Sequence, residues 1–413
     1  MRGGHAGVQQ QHQRQEGLHQ ADDDARRRAE KIDAAGNQPE VLQDGVDDAE
    51  RPQKMQHAER GQKRAGDERH QNERKQQALG APGADGNLAR HWQCDDKRNE
   101  GGRSAHPDRP EENLGKIVKS TKVKNDLSVC LNQASSAELI ALKVKSNFNK
   151  SLEIVIPSIK EKSISTRIFL IVEEGAKLDL LQVFLGNNNS AQNHLIEIKL
   201  ESKGELTHGL ISLGEEKESS SICTVAVEQS KNSQYSLHSI HHGWDYARFE
   251  PRIIQSEGEA STTIKNLQVT KSKEQIATHS LIRFEGPNGK LDQLQKAVAS
   301  EYSHCIFNGS IEVPQIAQKT EAAQLSRNLL LSKRARIDAK PELEIVADDV
   351  RCTHGATVSQ LQDEELFYLL SRGIDNEHAN SLLLKGYYDE VISHLPKSSE
   401  KWNFVKNLTK DIK

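Results

Sequence analysis

Cys352 and His354 stand two residues apart in the run KPELEIVADDVRCTHGAT, Lys340 to Thr357. Leu343, Ile345 and Ala347 alternate with Glu342, Glu344 and Val346, and this period of two predicts a strand. With the strand carried on through Val350, the side chains of Val350, Cys352 and His354 share one face while Asp349, Arg351 and Thr353 take the other. The sulfur and the ring then lie roughly 6.6 Å apart along the strand, at about 3.3 Å per residue, and Gly355 lets the chain turn away. A thiol beside an imidazole suits zinc, copper(I) or iron–sulfur chemistry. Two ligands do not close a site. Structural zinc takes four, commonly in CxxC or HxxxH pairs, and no second pair is visible in the sequence. Either further ligands come from another surface or another chain, or Cys352 is a small core side chain and His354 an ordinary hydrogen-bonding one.

Other reactive residue types gather elsewhere with weaker geometry. SIHHGWDYARFEPR, Ser239 to Arg252, holds His241, His242, Trp244 and Asp245. Adjacent histidines on a strand face opposite ways and cannot hold one ion together without a bulge, so this run reads as a surface rung end that Trp244 covers. His304 and Cys305 diverge for the same reason, with Cys305 assigned to the core; His279 and this pair are second-rank ligand candidates. Gly286 to Lys290 lacks phosphate-loop spacing and has Leu291 where a Ser or Thr would hold Mg²⁺. It reads as a turn, and the chain has no ATPase site of its own.

The elements that must position these residues are mainly β. From Lys116 onward, short apolar runs alternate with polar residues: Leu195, Ile196, Ile198 and Leu200 take turns with Glu197, Lys199 and Glu201. Turn signals at Glu174-Gly175, Asn187 to Asn189, Lys203-Gly204 and Pro287 to Gly289 separate the runs. Many short strands without intervening helices leave a sandwich, a barrel or a stacked β-helix. Few aromatics and few tight hairpin turns favour stacked coils, although no strict short repeat is present. After Thr357 the period becomes helical. Asp363 begins one helix and Asp375 caps a second, along which Ala379, Leu382, Leu383, Tyr387, Val391 and Ile392 recur at three- and four-residue steps. The predicted organisation is a low-complexity, disordered region over 1–115, a β core over 116–357 and a helical segment over 358–413.

Composition narrows the function classes. The 413 residues carry a formal charge of −4 without a basic block, so nothing electrostatic points to nucleic acid. Five scattered cysteines, Cys94, Cys130, Cys223, Cys305 and Cys352, fit a reducing compartment with free thiols. Runs such as Ile168 to Val172 fall far short of the ~20 residues that span a bilayer, and the start shows no secretory h-region. Cytoplasm, or plastid stroma, is the expected setting. Residues 1–115 hold too few large apolar side chains to offset the ~1–2 kcal/mol per residue of backbone ordering. That stretch reads as a divergent tail or as sequence upstream of the true start.

LEIVADDVRCTHGAT, then DEELFYLLSRGI at Asp363 to Ile374, closely resembles the SufB/SufD family of the iron–sulfur cluster assembly scaffold, the SufD branch better than the SufB branch. FNGSIEVPQIAQKTEAAQLSRNLLLS, Phe307 to Ser332, matches the same family. The resemblance implies a right-handed parallel β-helix and a non-catalytic scaffold subunit. It also implies pairing with a SufB-like subunit through the last rungs, an ABC-type ATPase, SufC, on the terminal helices, and transient iron or a nascent cluster at the subunit junction. His354, and more weakly Cys352, would supply a ligand there. Two other readings stand beside it. One is a β-helix enzyme acting on polysaccharides, which needs paired carboxylates and an aromatic sugar platform, whereas Asp348 and Asp349 point to opposite strand faces. The other is a metal-free homodimeric interaction module.

Overall fold

The computed structural model describes residues 114–408 apart from 124–125, 136–137, 149, 215–217, 362 and 405–407. The disorder expected for 1–115 falls, up to residue 113, outside the described residues.

The described residues form sixteen strands, β1 (Glu138–Val144) to β16 (Arg351–Ser359), in two eight-stranded sheets. Odd-numbered strands build one sheet and even-numbered strands the other, each pairing in parallel with the next of its own parity. Ser220 lies beside Tyr246 and His304 beside Arg336, so one coil takes 26 to 32 residues. The fold is a parallel β-solenoid of about seven turns, as the sequence reading expected.

Inward-facing side chains alternate with outward ones and stack in columns from coil to coil. Leu180, His208, Leu237, Ile264, Gln293, Gln324 and His354 make one such column. The corners stack too. Gly175, Lys203, Asn232, Glu259, Asn288 and Lys319 all take positive φ at one corner, from 52° to 67°. Five of the six are not glycine, a backbone form most side chains avoid. The corner is held by coil-to-coil bonds such as Gly175 N to Ser202 O at 3.0 Å and Asn288 N to Gln318 O at 2.9 Å.

Long apolar runs arise because part of each sheet is buried on both faces. On the even sheet, the outward-facing Leu181, Val183, Ile211, Ile240, Leu267 and Val298 are covered by the C-terminal chain. That chain comprises α4 (Asn376–Ile392) and the segment through Leu395, Trp402 and Phe404. Asp375 caps α4 as expected, accepting from His378 N at 3.0 Å. The buried face of α4 is Ala379, Leu384, Tyr388 and Val391, rotated from the expected stripe, and Leu382 is 50% exposed.

Lys116 to Leu131 departs from the sequence reading. Its apolar residues other than Val123 lie on two short helices, α1 (Lys116–Ser120) and α2 (Leu127–Ala134), not in strands. Ile117, Val118 and Val129 pack on the outer face of the odd sheet against Phe169, Leu195 and Ala226. Glu197 on that face accepts from Gly115 N at 2.8 Å and Val118 N at 3.1 Å, satisfying donors that a helix start leaves unpaired. Trp244 is likewise not a surface cover. It is fully buried, donates from Nε1 to Ser212 Oγ at 3.0 Å, and fills the space that Gly186 and Gly214 leave open.

Candidate functional site at the open end of the solenoid

The run from Lys340 to Thr357 is two strands rather than one. β15 (Arg336–Ile345) closes the odd sheet, the chain rounds a corner over residues 346–350, and β16 closes the even sheet. Val350 therefore sits at the corner rather than in the strand, although it packs with Cys352 against the same core. The corner is stitched by Gln315 Nε2 to Asp348 Oδ2 and by Asp349 N to Gln318 Oε1, both 2.9 Å.

Among the described residues β15 and β16 are the last strands of their sheets, so there each presents an edge of backbone N–H and C=O groups. Charged side chains line the outward face of β15, where Lys340 pairs with Glu342 at 2.7 Å and Arg336 with Asp338 at 2.9 Å. The inward side chains of β16, Cys352, His354, Ala356 and Val358, continue the columns of β14 (Glu321–Leu330) at Ala322, Gln324, Ser326 and Asn328. With no further coil above them, they differ in burial. Cys352 is half-buried and packs against the core, whereas His354 is exposed.

This sets what each can do. Partial burial pushes the Cys352 thiol up, and a backbone hydrogen bond at Ala322 offsets part of that. A thiol ligand must be thiolate, so that shift counts against Cys352 as a donor. Among the described residues no group of three or more His, Cys, Asp or Glu is placed to hold a metal ion. The pair is at most half of a coordination shell.

The remaining candidates are scattered by the fold. His241 points inward against Phe249, with ring centroids 4.5 Å apart. Its neighbour His242 points outward, donating from Nδ1 to Val269 O at 2.9 Å and lying 5.4 Å from Phe404. Cys305 is buried in the core and its thiol is pushed up to about 12 by that burial. His304 faces outward and pairs with Asp338 at 2.8 Å. His279 lies on the outer face of the odd sheet, against Asn308 at 3.2 Å, in a charged hollow of about 370 Å³ with Arg248, Glu250, Arg252 and Arg283.

Sequence reasoning missed the polar column beneath His354. Gln293 on β12 (Lys290–Ala299) and Gln324 on β14 are both buried, and the Gln324 amide donates to Gln293 Oε1 at 2.9 Å. The signal was a spacing of about one coil from Gln293 to Gln324 and again to His354, legible only once the coil length is known.

A second exposed surface lies on the C-terminal helices. α3 (Asp363–Ser371) has no buried residue; Phe367 is 72%, Tyr368 58% and Leu370 40% exposed. Leu366 and Leu369 are half-buried rather than seated in the core. No helix among the described residues is long and apolar enough to cross a membrane.

The family described as the SUF system FeS cluster assembly SufBD core domain matches residues 155–387, more than half the chain. An iron–sulfur cluster assembly SufBD family protein of Synechocystis is 34% identical over 57% of this chain and 54% of its own length. The chloroplast protein ABCI7 of Arabidopsis thaliana is 32% identical over 59% of this chain and 52% of its own. The iron–sulfur cluster assembly protein SufD of Escherichia coli is 39% identical over 34% of each chain. The alignments with the first two span about half the length of each relative.

Proposed function

The chain belongs to the SufBD core family of the SUF iron–sulfur assembly system, and from that premise we propose that it is a non-catalytic scaffold subunit whose open last coil is a junction. A second solenoid subunit of the SufB type pairs with the free edges of β15 and β16. His354, with Cys352 as the weaker donor, offers a ligand to iron or to a nascent cluster held between the two chains. An ABC-type ATPase of the SufC class docks on the exposed apolar face of α3 and its neighbour α4. The working place is the cytoplasm or, given a chloroplast relative, a plastid stroma.

The observation that carries this reading is the exposure of His354 on the inward face of a terminal strand. Everywhere else in that column the next coil covers the side chain. A ligand that belongs to an incomplete shell fits a site that a partner completes. Free strand edges are templates for pairing with another chain, and apolar side chains on an unburied helix suit helix-in-groove docking.

The test is iron–sulfur reconstitution of the co-expressed complex carrying His354→Ala. A marked loss of cluster with the complex intact supports the ligand role. Undiminished cluster yield in an intact complex removes His354 from the mechanism. The free edges would equally accept a second copy of this chain, so sedimentation of the isolated chain separates the homodimeric module from the mixed scaffold.

A further inference from the structure

The two strands at the open end present unequal backbone edges. Successive residues of a strand send their N–H and C=O groups to alternate sides. On β15, Arg336 N donates to Ser303 O at 2.9 Å and Val346 N to Val313 O at 2.8 Å. Its even-numbered residues therefore bond toward β13 (His304–Val313), and the odd-numbered Ile337, Ala339, Pro341, Leu343 and Ile345 aim at the outer edge. On β16, Arg351 N donates to Thr320 O at 2.8 Å. There the odd-numbered residues bond toward β14, so the groups aimed outward are those of Cys352, His354, Ala356 and Val358.

Pro341 has no N–H to offer. It stands in the middle of the β15 edge, where an added strand would be left with a carbonyl that meets no donor, at a cost if that carbonyl is buried. The outward side chains of the same strand are charged and already paired with each other, Arg336 with Asp338 and Lys340 with Glu342. Proline and charge are the devices by which strand edges are kept from pairing. β16 carries neither beyond its first residue. Each of its edge residues keeps an N–H, and after Arg351 its outward side chains are Thr353, Gly355, Thr357 and Ser359, with threonine well suited to a strand.

We infer that β16 alone is the strand-addition edge: an extended segment of the second subunit hydrogen-bonds to the backbone of Cys352, His354, Ala356 and Val358, while β15 meets that subunit through side chains only. This rests on the junction proposed above and narrows it. An added strand lies about 4.8 Å from β16, so its inward-facing side chains stand beside Cys352 and His354, where a partner's ligands would complete the shell.

The test is amide hydrogen exchange of the native full chain, free and in complex with a co-expressed SufB-type subunit. On assembly the amides of His354, Ala356 and Val358 should slow by on the order of tenfold or more, and those of Ala339 and Leu343 should change by less than about twofold. A pair of prolines gives an independent reading. Ala356→Pro and Ala339→Pro each remove one outward N–H and no bond within the chain. Ala356→Pro should weaken the complex about tenfold or more, and Ala339→Pro should leave it unchanged. Should either proline damage the fold, seen as a shifted urea midpoint of the isolated chain, the exchange comparison on the native chain decides alone. Equal slowing on both strands, or equal loss from both prolines, overturns the inference. If the complex forms and no β16 amide slows, strand addition is overturned while the mixed scaffold stands. If the native chain forms no complex, both fall together.

Discussion

His208 and His354 occupy the same inward-facing column, five coils apart in register, yet chemically they are opposites. His208 is fully buried, bonded at both ring nitrogens to Gln182 and Tyr235, and burial, with the nearby His238 charge, lowers its pKa to about 3. His354 is exposed on the final strand. Residue type, strand face and column are shared; what differs is the presence of a coil above. The end of the stack leaves His354 open to solvent, whereas within it both ring nitrogens of His208 are taken.

The comparison breaks most visibly in acid. His194, His208 and His241 each titrate at about 3 in the fold because burial disfavours the imidazolium, against about 6.5 in an unfolded chain. Between those values the unfolded chain binds more protons than the folded one. Stability is therefore complete above pH 6.5 and falls as the pH drops toward 3. The slope is about 1.4 kcal/mol per pH unit for each histidine, so about 4 kcal/mol per unit for the three together. Urea midpoints at pH 7.5 and 5.5 should differ accordingly. A flat profile would mean that the middle coils admit water and that His208 resembles His354 after all.

A carboxylate placed inside the neighbouring column and at its open end sharpens the contrast. Leu210 and Ala356 face inward in one register column, through Ser239, Asn266, Gln295 and Ser326. Leu210 is fully buried and Ala356 exposed. Leu210→Asp should cost on the order of 4 kcal/mol or prevent folding, because a buried charge has no partner there. Ala356→Asp should change the stability of the isolated chain by no more than about 0.5 kcal/mol and act only on assembly with a second subunit. Comparable losses in thermal unfolding would show that the last coil is closed by this chain alone.

The sequence carried the strand periodicity, the helical switch after Thr357, the Asp375 cap and the shared strand face of Cys352 and His354, because each is set within a few residues. It did not carry the corner at residues 346–350, where no residue takes positive φ and no glycine or proline marks the turn. Without the corner, the run from Lys340 to Thr357 reads as one continuous strand instead of two. The burial of Trp244 depends on Gly186 and Gly214, 58 and 30 residues away in the chain. The Gln293–Gln324 ladder depends on a coil length that no short repeat announces. In both cases the determining contact is one coil or more away, so local pattern has nothing to report.

The smallest expected effect is the most discriminating. His208→Ala removes a donor from Gln182 Oε1 and an acceptor from Tyr235 Oη, both buried, and leaves a cavity. The sum should be about 3 kcal/mol, at roughly 1–3 kcal/mol for each unmet group with the cavity added. His354→Ala removes a ring already in water, so denaturant midpoints of the isolated chain should move by less than about 0.5 kcal/mol. If His354→Ala proved as damaging to folding as His208→Ala, the exposed ring would be a structural pin of the last coil, and a histidine that the fold needs for its own closure would be a poor candidate for a ligand shared with another chain.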